Sequence, residues 1–104
     1  MDLRYTPEAS KDLDAIHSHI TLNSDSCNAA NRRIAAILKK CSLLKDQPCM
    51  GASLSARTGR PTDMRFLVCD RYIAFYKIHS GVISIIRIMD SRMDYLDVIF
   101  TPSD

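Results

Sequence analysis

Hydrophobic and polar positions change rhythm several times along this chain, and each change marks an element. Leu3 and Tyr5 alternate with Asp2 and Arg4, the period-two pattern of a short half-buried strand. Thr6-Pro7-Glu8 then predicts a helix start: a hydroxyl to accept from a free amide, a proline suited to the first helical position, and an acid at the positive end of the dipole. From there to about Leu22, Ala9, Leu13, Ile16 and Ile20 form one apolar stripe, with Lys11, Asp12, Asp14 and Ser18 off it. Asn23-Ser24-Asp25-Ser26 reads as a turn and a set of caps. A second helix follows with Ala30, Ile34, Ile37, Cys41 and Leu44 on one face and Leu38 widening it, while Arg32, Arg33, Lys39 and Lys40 lie elsewhere. Two amphipathic helices so closely joined form an αα-hairpin, which must lay its stripe on a further layer.

Positions 47–62 show no period and contain Pro48, Gly51, Gly59 and Pro61, so they read as a long connection. Arg57 and Arg60 sit in it and are candidate contacts for a phosphate or a protein partner. Three strands are predicted next: Asp63–Cys69, a turn at Asp70-Arg71, Tyr72–Ile78, a turn at His79-Ser80-Gly81, and Val82–Asp90. The last is apolar on both parities, with Val82, Ile86 and Ile88 assigned to one face and Ile83, Ile85 and Met89 to the other. One face takes the helices; the other is expected to need the C-terminal tail, a second copy or a different protein as cover. Ser91–Phe100 reads as a short helix or extended tail that Pro102 stops.

The expected architecture is therefore α+β, one domain over residues 1–104, with an N-terminal strand and an αα-hairpin packed on an antiparallel sheet of about four strands. Composition adds little, but charge distribution changes the picture. Residues 1–26 hold two basic and five acidic side chains, and residues 27–60 hold seven basic and one acidic, so a −3 segment precedes a +6 segment. The second attracts a phosphate backbone or an acidic protein, or is simply a solvated basic helix face. Cys27, Cys41, Cys49 and Cys69 have neither C-x-x-C spacing nor histidines at ligand spacing, so no metal and no cofactor is expected. There is no export signal and no run approaching a membrane span, which with free thiols points to the cytoplasm.

The block MRFLVCDRYIAFYKIHSGVISIIRIMDSRMDY, residues 64–95, puts Arg65, Lys77 and Arg87 on strands, with Arg92 just beyond. A half-buried guanidinium needs a partner. Met64-Arg65, the spaced Tyr72 and Tyr76, Arg87-Ile88, and Arg92 with Asp94 stand in the order of a RelE/ParE-family toxin, and the opening YTPEASKDLDAI resembles the ParE branch. Departures are Asp70-Arg71 where ParE-like chains often have a glycine, and Asp90-Ser91 where they often have His-Gly.

The resemblance implies the toxin of a type II toxin–antitoxin pair, acting on DNA gyrase in the ParE manner and bound by a cognate antitoxin. Contacts would then come from Arg57, Arg60, Arg92, Tyr95, Leu96 and Phe100. The alternative it leaves open is a RelE-like endoribonuclease acting on ribosome-bound mRNA, with Arg65 and Arg87 holding phosphate and Tyr95 as acid or base. A diverged module that only binds an antitoxin is a third. Beside these stands a packing role: Tyr72 and Tyr76 as core residues with tethered hydroxyls, Arg87 paired with Asp94 across the junction to the tail, and His17, His19 and His79 as surface residues.

Overall fold

The computed structural model describes residues 1–24 and 27–92. Strand β1 (Asp2–Tyr5) leads into helix α1 (Pro7–Ser24), whose Ala9 N–H is accepted by Thr6 Oγ1 at 3.2 Å, so the capping signal in the sequence is used. Helix α2 (Cys27–Ser42) lies beside α1 and ends in a 3-10 turn over Leu43–Lys45. Strand β2 (Ala52–Ser53) and helix α3 (Leu54–Thr58) precede the long strands β3 (Arg65–Cys69), β4 (Tyr72–His79) and β5 (Val82–Asp90).

The five strands run in the order β1-β5-β4-β3-β2. β3, β4 and β5 form an antiparallel meander, as expected; β1 joins β5 in parallel, so the sheet is mixed, and β2 adds a fifth strand. The parallel edge is permitted by connection length, because more than seventy residues, including α1, α2 and α3, separate the partners Tyr5 and Ile85. Ser80 and Gly81, at φ 52 and 77, make the tight turn between β4 and β5.

Both helices pack on one face of the sheet. Ala9, Ile16, Ile37, Cys41 and Leu44 meet Leu67, Tyr72, Ala74, Tyr76, Ile83 and Ile85 in the main core. Leu38 does not widen the buried stripe; it stays 37% exposed because the buried Ile37 and Cys41 both lie to one side of it around the helix. Tyr5, Cys41 and Cys69 lie together in this core, where burial pushes the Tyr5 hydroxyl up and the neighbouring Cys41 thiol, with burial, pushes Cys69 up.

Two expectations are corrected here. The 47–62 segment is not featureless, since it supplies β2 and α3. Leu54 of α3 is fully buried against Met64, Phe66, Ile73, Phe75 and Met89, so part of the second sheet face is covered from within the chain. The faces of β5 also differ from strict alternation. Phe75 stands opposite Arg87 but Tyr76 opposite Ile85, so Ile86 is an extra residue in a bulge. The parity flips there: Ile83, Ile85 and Ile88 lie in the helix-side core, and Ile86 and Met89 on the opposite side.

Candidate functional site

The bulge and the end of β1 determine the site. Beyond Tyr5 no strand among the described residues flanks β5, so its outer edge takes other partners. Thr6 donates its N–H to Ile85 O at 3.0 Å and its hydroxyl to Ile86 O at 2.9 Å. Nearly two helical turns later Asp12 reaches the same edge, accepting the Ile88 N–H at 2.9 Å. The same carboxylate takes Arg87 Nε at 2.8 Å and Nη2 at 3.0 Å. This bidentate pair raises the affinity of the Arg87 guanidinium for its proton, the Asp12 hydrogen bond being the largest cause. Among the described residues the partner of Arg87 is Asp12; Asp94, the partner expected from the sequence, lies outside them.

Arg65 is engaged on the other side of the sheet's centre. It stands opposite Tyr76, and both reach the start of the 47–62 segment. Arg65 Nη2 donates to Gly51 O at 2.7 Å and Cys49 O at 3.3 Å, while its Nε is buried with no partner among the described residues. Tyr76 donates its hydroxyl to Pro48 O at 2.8 Å and accepts the Gly51 N–H at 3.0 Å. Tyr72 and Tyr76 are core residues, as the packing reading expected, and the Tyr76 hydroxyl is tethered. Arg65 and Arg87 are not brought together: they stand on strands separated by β4, each bonded to a different segment.

Between α1 and the ends of β4 and β5 lies an apolar cleft of about 380 Å³, lined by Ile16, His19, Tyr72, Met89 and the Asp12–Arg87 pair. A second cleft of about 500 Å³ adjoins it through His19 and Tyr72 and is ringed by Arg33, Arg71 and Arg92. Arg92 donates Nη2 to Asp90 Oδ2 at 2.8 Å and Nε to Oδ1 at 3.1 Å, and Arg92 holds the Asp90 carboxyl down at about 2. Arg33 is paired with Asp70.

Of the other expected contacts, Arg57 and Arg60 are exposed, Arg57 lying 5.5 Å over the Phe66 ring. Tyr95, Leu96 and Phe100 lie outside the described residues. His17 Nε2 donates to Asn31 Oδ1 at 2.9 Å, linking α1 to α2, and His79 is exposed. His19 is remote from Tyr72 in sequence but shares both clefts with it. Asp12 is the residue the sequence did not single out, while His19 is exposed as expected and lies at the rim of both clefts. The only signal for Asp12 was an acid beside the apolar stripe together with a strand arginine in need of a partner. Among the described residues no group of three or more His, Cys, Asp or Glu side chains could hold a metal ion, and no helix is long and apolar enough to cross a membrane.

A strand, a helical hairpin and a five-stranded mixed sheet define the RelE/ParE-like fold. Residues 3–95 match the model of the ParE toxin of type II toxin–antitoxin systems, and the chain belongs to that family. It is similar in structure to the chromosomal ParDE TA system from P. aeruginosa, at 24% identity and a TM-score of 0.74 over 86% of this chain and 95% of that one. It is also similar to the toxin–antitoxin complex RelBE2 from Mycobacterium tuberculosis, at 19% identity and a TM-score of 0.61 with the same coverage of both chains. No match is found among curated protein sequences.

Proposed function

We propose that this ParE-family toxin stops growth by binding DNA gyrase in the cytoplasm, without catalysis of its own, and that a cognate antitoxin neutralises it. The observation that carries the inhibitor reading is the engagement of both candidate phosphate-holding cations inside the fold. Arg87 is held bidentately by Asp12, and Arg65 by two backbone carbonyls. A guanidinium already paired this way must lose those bonds before it can stabilise a phosphate, which works against the preorganisation that nuclease chemistry needs. Exposed Arg57, Arg60 and Arg92, with Tyr95, Leu96 and Phe100 of the tail, are the contacts assigned to target or partner. The antitoxin reading is supported by the two similar structures, one of a ParDE system and the other of a toxin–antitoxin complex.

The test is incubation of the purified chain with gyrase and relaxed plasmid, following supercoiling and cleaved DNA. Blocked supercoiling with trapped breaks is expected. Normal supercoiling by a chain that still arrests growth would transfer the reading to cleavage of ribosome-bound mRNA, with Arg65, Arg87 and Tyr95 as the residues to vary. Absence of any growth arrest would leave a diverged antitoxin-binding module.

A further inference from the structure

Two cysteines far apart in sequence come together in the fold. Cys41 lies near the end of α2 and Cys69 ends β3, and both are buried in the main core, at 0% and 4% exposure. Their thiols are neighbours, with Tyr5 beside Cys41. A shallow cleft of about 220 Å³ reaches this pair from outside, lined by Ile37 and Lys40 of α2 and by Cys69 and Asp70. Cys41 follows Lys40 directly and stands one helical turn after Ile37, so it lies behind the cleft's inner wall. Cys69 thus has cleft space on one side and the second thiol on the other. Its Sγ is 3.7 Å from Leu67 O, a long contact that opposes rotation only weakly.

We propose that Cys41 and Cys69 are an oxidisable dithiol, a modification site at which peroxide converts the two thiols to a disulfide tying α2 to β3. Hydrogen peroxide in the cleft gives up one oxygen to a sulfur, forming a sulfenic acid and releasing water. The neighbouring sulfur attacks that sulfur, its proton leaves with the hydroxyl as a second water, and the S–S bond forms. Two thiols have then lost two electrons and two protons to one peroxide. A buried cysteine with no route to solvent is inert, acting as a small apolar filler. This pair differs in having a route at Cys69 and a resolving thiol already in place. Because the neighbouring Cys41 and burial hold Cys69 protonated, the first step is slow and is followed over hours. The bond closes a loop containing β2, α3 and β3, which restricts the unfolded chain. In a reducing compartment it is transient, formed under peroxide and removed by thiol exchange. Gyrase inhibition plays no part in this inference, so either can fail without the other.

The full chain is treated with hydrogen peroxide, remaining thiols are blocked with iodoacetamide, and the unreduced protein is digested with trypsin. Each cysteine falls on its own peptide: Cys27 in residues 12–32, Cys41 in 41–45, Cys49 in 46–57 and Cys69 in 66–71. The expected main product is peptide 41–45 joined to 66–71, lighter by two hydrogens than the two together, and dithiothreitol should separate them. The oxidised chain should melt about 5 °C or more above the reduced one, a gain absent in Cys69→Ser. Circular dichroism checks that this variant folds, and the wild-type digest decides the matter without it. The same treatment in urea should scatter links over the four cysteines. The proposal is overturned if Cys41 and Cys69 are recovered as thiols, are carried to sulfinic acid, or link to Cys27 or Cys49 instead. An equal yield of the 41–69 link in urea overturns it too, since the fold would not then direct the pairing.

Discussion

A single carboxylate, that of Asp12, closes three open valences at once: two guanidinium N–H groups of Arg87 and the edge N–H of Ile88. Its side chain is 15% exposed and that of Arg87 30%, so loss of the acid strands a partly desolvated cation. Asp12→Ala should cost about 1–3 kcal/mol in urea denaturation, and Asp12→Asn less, since an amide oxygen still accepts one bond. Equal stability of Asp12→Ala and wild type would remove this residue from the account. Asp90 makes a pH prediction. Its carboxyl, at about 2, lies below the ordinary 3.8 because Arg92 bonds to it. The pair's stabilisation is therefore complete above about pH 4 and disappears as pH falls through about 2. The gap in thermal midpoint between wild type and Asp90→Asn should close over that range; a gap unchanged at pH 2 would refute the linkage. At this scale the sequence showed that a strand arginine requires a partner but not which one, because Asp12 and Arg87 meet only when α1 crosses β5.

Among the elements, the 48–51 corner is held by Arg65 and Tyr76, and Gly51 sits so close that a side chain has no room. A Cβ there would lie 2.5 Å from Phe66 O and 2.6 Å from the Tyr76 hydroxyl. Gly51→Ala should cost about 1–3 kcal/mol through overpacking. Tyr76→Phe should cost about 1–2 kcal/mol by leaving the Gly51 N–H and Pro48 O without it. Limited proteolysis should show both variants cut sooner within residues 48–62 than wild type, and unchanged cutting would mean the corner is held by other contacts. The tethered tyrosine was legible from its place in an apolar strand. The elements β2 and α3 were not, since two and five residues are too short to display a period. The bulge at Ile86 was equally hidden: a strand apolar on both parities reads the same before and after a shift of face.

For the whole molecule, the inhibitor reading makes a prediction that a nuclease reading would not. Arg87→Ala should lower stability yet leave growth arrest intact once corrected for the soluble folded fraction, because Arg87 holds α1 to β5. Arrest lost in proportion to residual mRNA cleavage would reverse that conclusion. Local signals along the chain were sufficient for the order of strand, helices and meander, for the Thr6 cap, for the Ser80–Gly81 turn, and for the resemblance to RelE/ParE toxins, because each depends on residues near one another in sequence. The parallel pairing of β1, the Asp12–Arg87 partnership, the shift of faces in β5 and the basic groove joining α2 to the β3–β4 turn were decided only by the tertiary structure. Each depends on which long-range neighbours share an edge or a face, and hydrophobic period alone carries no record of that.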